Sequence, residues 1–424
     1  MLRQRAQAPG FASALRAEPR TYWRALVGVA LLAVVVRLIA LVILRPHVGI
    51  DSQSYVNQGQ AILQDGPLSF LSFAAEQSPL YSLLYALCEA VAGANAGWAI
   101  GVIQAVFGGL IALLVAEFTT RGTRDPFAGV LAGAIAALHI TFIFWSVYVL
   151  TDTLLLLLLA ASMYCLLRLV SSRHPLMDGL ITSVLLLVMV LTRRTNALAS
   201  GVLLLTGAIL ARRQRLALVG LVVPVLLVSA VVPLGAARAR SGGSLEDRVG
   251  AYAWQAVYMG LEWTEHGRAT AGVDIHLSTI PDDAARGAFY RQQSLQWIES
   301  DPGFVALQAL RKFKVLWIPF LPEDSAEHKV LSTLYLVPFY ALGIVGWLRS
   351  RRNGPFVVIT TVGIAVFTLV CLITFVDYDQ RYRLPAELFL IPLSGVGLEQ
   401  VLGWRGAVSH DRAPTFSRHG ASAG

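Results

Sequence analysis

Runs of apolar residues about as long as a bilayer is thick, parted by short arginine clusters, limit this chain to one kind of fold. A helix needs roughly 17–25 apolar residues to cross the hydrocarbon core, and the run at 23–44 opens a series of such stretches. Only 14% of residues are charged and 56% are hydrophobic, against about a quarter charged in soluble domains. In lipid every backbone polar group must be satisfied within the segment. The expectation is an all-α polytopic membrane protein with about ten transmembrane helices. Cys88, Cys165 and Cys371 are odd in number and embedded in apolar runs, with no CxxC pair, and read as small core hydrophobes. The net charge of +8 comes from arginines scattered between apolar runs. They report membrane topology and argue against a nucleic-acid partner.

The positive-inside rule then orders the spans. Residues 1–22, with Arg3, Arg5, Arg16 and Arg20, form a cytoplasmic tail, and 23–44 is an uncleaved signal anchor. Residues 23–235 make a transmembrane module whose first outer loop is 45–97. Within it, 98–118 runs inward to Arg121 and Arg124, 127–147 runs outward to Thr151-Asp152, and 153–170 returns to Arg168 and Arg173. The stretch 180–210 is interrupted by Thr192-Arg193-Arg194-Thr195-Asn196. It reads either as two short helices with an outward turn or as one span, which inverts everything downstream. After 216–235 comes an extracytoplasmic segment, 236–330, with an interfacial helix. The C-terminal spans fill 331–403, and 404–424 is a polar, disordered cytoplasmic tail.

The first outer loop is a polar island. Asp51 and Ser52 suit N-caps, Tyr55, Val56, Gly59, Ile62 and Leu63 recur at helical spacing, and Gly66 closes the pattern, so a short helix lies on the bilayer. Ser78-Pro79 starts a second helix that meets Gly93 after about fourteen residues, roughly 21 Å against a core of about 30 Å. It dips in without crossing. On the two-helix reading of 180–210, Asp51, Asp152, Arg193, Arg194, Asp377, Asp379, Arg381 and Arg383 converge on the outer surface. Plainer readings stand beside these: Asp51 as a solvated loop carboxylate or helix cap, Asp152 as a cap, and Arg193 and Arg194 as snorkelling interface residues. Arg37 is expected to face the interior and be paired, and His139 to be a satisfied interior polar group. In the 236–330 segment, Tyr252, Trp254, Tyr258 and Trp263 suit either a sugar or ordinary packing. Over 304–321, Arg311, Lys312 and Lys314 are expected to face lipid head groups. No glycine-rich phosphate loop, zinc motif or nucleophile elbow is present.

An outer Asp followed by Tyr (Asp51, Tyr55), a Pro-Leu-Tyr helix start (Pro79 to Tyr81), Thr151-Asp152 before a span and a late Arg-Tyr-x-Leu-Pro (Arg381 to Pro385) together resemble the GT-C superfamily. Its members are polyprenyl-phosphate-sugar-dependent glycosyltransferases, such as protein O-mannosyltransferases and aminoarabinose transferases. The resemblance implies a lipid-linked donor, a glycan, lipid or protein acceptor, and a site at the outer face of the cytoplasmic membrane. Transfer passes through an oxocarbenium-like state, so the acceptor needs a base and the departing phosphate needs cations. Asp51 is the expected base. Asp152 orients the acceptor or shares a divalent cation with Asp51, the cofactor question staying open. Arg381, Arg193, Arg194, Arg383 and Tyr382 are expected at the donor phosphate, with Tyr55 and Tyr81 binding substrate. The competing class is a transporter or flippase of lipid-linked sugars. Such a protein needs midplane ionisable groups, whereas the candidates here gather at one membrane face.

Overall fold

The computed structural model describes residues 11–66, 69, 78–238, 254–261, 283–320, 324–374 and 381–410. Among them the chain is helical, and one isolated backbone bridge, His47 to Tyr148, stands in place of any sheet. In chain order, α1 (Phe11–Ala17) and α2 (Pro19–Leu44) precede α3 (Ile50–Asp65), α4 (Pro79–Ala92), α5 (Ala96–Thr123), α6 (Pro126–Leu138) and the short α7 (Ile140–Trp145). Then come α8 (Asp152–Leu169), α9 (Pro175–Thr192), α10 (Ala197–Leu210) and α11 (Arg215–Arg238). The remainder holds α12 (254–261), α13 (Asp283–Ser300), α14 (Pro302–Trp317), α15 (Ala326–Ser350), α16 (Gly354–Ile373) and α17 (Leu384–His410). Seven stretches are long and apolar enough to cross a membrane, and Pro126–Leu138, Ala197–Leu210 and Arg215–Leu227 are shorter apolar helices beside them.

Proline opens α2, α4, α6, α9 and α14, because its fixed φ suits the first helical position and its missing N–H is not needed there. Asp125 Oδ1 accepts the Phe127 N–H at 3.0 Å to cap α6. The apolar stretch from Pro79 to Thr123 is broken by a 3-10 turn, Gly93–Asn95, where Gly93 takes φ +54°, a conformation that favours glycine. This leaves α4 as a separate 14-residue helix. It packs against α3 through Ser82 Oγ, which donates to Gln58 Oε1 at 2.8 Å.

The stretch 180–210 is resolved in favour of two helices. A 3-10 turn, Arg194–Asn196, separates α9 from α10, and Ser200 Oγ donates to the Leu186 carbonyl at 3.0 Å across the hairpin. The span expected over 127–147 is instead broken at His139, where α6 gives way to α7. A helix that stops inside the bundle leaves carbonyls without partners, and Arg37 supplies them. It is 1% exposed and donates to the Ala137 and Ala136 carbonyls at 3.0 and 3.3 Å. Gly108 makes room, since a Cβ there would collide with the Arg37 side chain. Arg37 therefore faces inward as expected, bonded to a negative helix end.

His139 departs from its expectation. It is fully buried against Phe142, Tyr335 and Phe339, with ring centroids 4.3, 5.4 and 5.2 Å away. Neither ring nitrogen has a hydrogen-bond partner among the described residues. Glu387 Oε2 lies 3.7 Å away, and the other carboxylate oxygen is held by Arg383.

Lys312 also departs from expectation. It does not reach for head groups but is 1% exposed, its Nζ donating to the Thr374 and Leu372 carbonyls at 2.8 and 3.1 Å. The free carbonyls that end α16 draw it inward. Burial pushes its ammonium down from the ordinary 10.5 to about 8. Folded protein therefore sheds this proton earlier than unfolded chain, and stability rises with pH between those two values. The detergent-solubilised protein is expected to gain melting temperature from pH 8 to 10, and Lys312→Met to lose that pH-dependent gain. Equal slopes in both proteins would contradict the assignment.

The aromatic residues of the 236–330 segment divide. Tyr258 stacks on Trp297 at 5.1 Å and meets Tyr290 at 5.3 Å, and Trp254 packs against the same cluster, so these rings form a small core between α12 and α13. Tyr252 and Trp263 lie outside the described residues. At the end of the bundle where α1, α6 and the late part of α17 meet, Arg16 pairs with Asp125 at 2.8 Å and Glu399 at 3.2 Å. The helix ends that carry Asp51, Asp152, Arg193 and Arg381 lie at the opposite end.

Candidate active site

Two polar loops are tied together before either aspartate is reached. The His47 N–H donates to the Val147 carbonyl at 3.1 Å, and the Val149 N–H donates to the His47 carbonyl at 3.0 Å. Gln104, a lone amide in apolar α5, donates to the Ser146 and Tyr148 carbonyls at 3.0 and 2.8 Å. It accepts from the Tyr81 hydroxyl at 3.4 Å. The chain leading into Asp51 and the chain leading into Asp152 are thus fixed to one another and to α4 and α5.

Asp51 is not the N-cap that its sequence context suggests. Gly49 holds that position, and its N–H donates to Ser52 Oγ at 3.1 Å. Asp51 sits in the first turn of α3, where the helix dipole favours a negative charge. Its side chain is 54% exposed and pairs with Arg381, whose side chain is 8% exposed, at 2.5 Å. Arg381 comes from the 3-10 turn Arg381–Arg383 that opens α17. The two residues stand 330 positions apart.

Asp152, at the start of α8, is 3% exposed and binds Arg193 at 3.3 Å. Arg193 ends α9 in extended backbone. Its guanidinium lies over the Tyr382 ring at 4.5 Å from the centroid, and that of Arg381 lies 5.2 Å from the same centroid. One phenol ring thus gathers two cations, a cation–π arrangement that holds guanidinium groups near each other without a carboxylate between them.

These groups line a cavity of about 360 Å³. It is lined by the polar Asp51, Arg193, Asn196, Arg381 and Tyr382 and by the apolar Met259, Phe367, Val370 and Pro385.

Not every expected residue reaches it. Asp152 stands behind Arg193 and is not in the lining. Tyr81 is fully buried, meets Tyr55 edge-on at 5.2 Å, and both lie outside the lining. They sit near enough to interact electrostatically with Asp152 and Arg193 respectively. Arg383, expected at the phosphate, is 1% exposed; it binds Glu387 and donates to the Leu316 and Ile318 carbonyls at 3.1 and 3.0 Å. An acid one turn along α17 captures it, which the sequence already signalled as a lone Glu in an apolar run. Arg194 lies on the 3-10 turn, with its side chain outside the described residues, as are Asp377 and Asp379.

A divalent cation between Asp51 and Asp152 would have to share these carboxylates with Arg381 and Arg193. Each carboxylate holds a guanidinium, and among the described residues no group of three or more His, Cys, Asp or Glu comes together.

The family model described as dolichyl-phosphate-mannose-protein mannosyltransferase matches residues 76–234, which include Asp152 and Arg193. Among solved structures the chain is similar to the archaeal oligosaccharyltransferase AglB from Archaeoglobus fulgidus, in complex with an inhibitory peptide and a dolichol-phosphate. The match has 16% identity and a TM-score of 0.54, and covers 95% of this chain and 52% of that one. This chain spans about half the length of that protein. Among curated proteins no sequence match is found. The chain is a multi-pass helical membrane protein with the GT-C fold, as its ordered motifs imply.

Proposed function

We propose that this protein is a glycosyltransferase that moves a sugar from a polyprenyl-phosphate donor to a hydroxyl of an envelope glycan, lipid or protein at the outer face of the cytoplasmic membrane. The observation that carries the reading is the cavity itself. Two arginines gathered on Tyr382 line it, one of them paired with the half-exposed Asp51, and its apolar lining residues suit a prenyl chain. Guanidinium binds phosphate oxygens in bidentate fashion. The dolichol-phosphate bound in AglB and the mannosyltransferase family match support the same donor class.

Arg381 has two roles in this reading. In this structure it neutralises Asp51. An arriving donor phosphate competes for the guanidinium and leaves Asp51 to accept a proton. The acceptor oxygen then attacks the anomeric carbon, its proton passes to Asp51, and the bond from that carbon to the phosphate oxygen breaks. The phosphate leaves as an anion held by Arg381 and Arg193 and needs no proton of its own. Asp152 acts through Arg193, fixing its position over Tyr382.

The test is reconstitution into vesicles with radiolabelled polyprenyl-phosphate mannose and an envelope extract from cells lacking the protein, both supplied outside. Transfer of label to the extract with matching release of polyprenyl phosphate is expected. Passage of the intact labelled lipid to the inner leaflet without transfer would point to a flippase and overturn the proposal.

A further inference from the structure

Asn196 lines the cavity between Thr195 and the wall that carries Arg193, and it is 4% exposed. Its side-chain nitrogen is buried and has no hydrogen-bond partner among the described residues. Buried amide groups in folded proteins are almost always hydrogen-bonded, and one left unmatched costs stability. Asn196 occupies the N-cap position of α10, yet its side chain makes no capping hydrogen bond. Among the described residues no hydrogen bond of its side-chain nitrogen and no capping bond accounts for its burial, and it lines the cavity.

Resting on the proposed lipid-phosphate site, we infer that Asn196 is a specificity residue that hydrogen-bonds a hydroxyl of the donor sugar, next to the phosphate held by Arg193 and Arg381. The chemistry selects the sugar over the phosphate. A phosphate oxyanion only accepts hydrogen bonds, and the two guanidiniums already offer it donors in plenty. A carboxamide both donates and accepts, which matches a hydroxyl that does the same. Gln255, on α12, lines the same cavity as a second carboxamide. The sugar is thereby placed between the Arg194–Asn196 turn and α12, with its anomeric carbon toward Asp51.

The experiment measures affinities of the detergent-solubilised full chain and Asn196→Ala for sugar-free polyprenyl phosphate, and for a panel of polyprenyl phosphates carrying mannose, glucose, galactose or arabinose. Wild type is expected to bind at least one sugar-bearing lipid more tightly than the sugar-free lipid. Asn196→Ala is expected to lose about 3- to 10-fold toward that donor, the size of one hydrogen bond, with sugar-free affinity unchanged. Its melting temperature is expected to equal or exceed that of wild type, because the side-chain nitrogen has no hydrogen-bond partner to lose among the described residues and an unmatched buried donor is removed. Equal losses for both lipids, an unchanged preference for the sugar, or a marked fall in melting temperature would each overturn the inference while leaving the lipid-phosphate site standing. If wild type binds no polyprenyl phosphate at all, the proposed function fails and this inference with it.

Discussion

Asp51→Asn is expected to lower transfer by about 10²- to 10⁴-fold, the usual contribution of a positioned general base, while donor affinity holds or improves. The two halves of this result have one cause. Asn keeps the shape of Asp but cannot take the acceptor's proton. It also gives up the charge that holds Arg381, so the donor phosphate meets a guanidinium with less competition. A residue that merely capped α3 would show neither effect, and Gly49 with Ser52 already performs the capping. Folding is expected to survive, because the Asp51 side chain is half-exposed and the Asn carbonyl oxygen can still accept from Arg381. Asp51→Glu is expected to recover little, since the longer side chain displaces the carboxylate. Purified variants assayed for transfer rate and donor affinity decide the matter. Near-normal transfer by folded Asp51→Asn would remove the base from the mechanism.

The parts of this molecule that the sequence made legible are those set by the membrane. Apolar runs marked out most of the helices in their order, because a bilayer makes length decisive. The meeting of Asp51 with Arg381 followed from placing loops on one face, although nothing local links residues so distant in the chain. What stayed hidden depended on where helices break. Within 127–147 the run is apolar throughout apart from His139 and a few small polar residues, and only tertiary packing ends α6 there, with Arg37 taking up the freed carbonyls. Lys312 and Arg383 were misplaced for the same reason: each long cation was read by charge as facing an anion, and each is instead drawn to helix-end carbonyls or a nearby buried acid. Gln104 and Glu387 carried a usable signal, a single polar group in an apolar helix, which marks an interior partner.

Arg381→Ala is expected to raise the apparent KM for donor and to lower turnover by about 10²- to 10³-fold, the loss typical when one preorganised donor to a developing anion is removed. Both constants move because the phosphate is charged in the bound donor and more so as the leaving group, so the contact serves the ground state and strengthens in the transition state. Arg381→Lys keeps a cation but not the planar fork, and a point charge cannot hold two phosphate oxygens while stacking near Tyr382; it is expected to fall between wild type and Arg381→Ala. The neighbouring arginine provides the contrast. Arg383 is buried on Glu387, so Arg383→Met strands a carboxylate in the bundle, a change that costs about 3–5 kcal/mol. That variant is expected to melt well below wild type, yet bind donor normally in its folded fraction. Two arginines one residue apart thus separate along different axes, catalysis for Arg381 and stability for Arg383. Measuring melting temperature and donor kinetics on both variants tests the division directly. If Arg381→Ala kept normal donor kinetics while Arg383→Met lost donor affinity, the phosphate site would have to be moved from the cavity wall into the bundle.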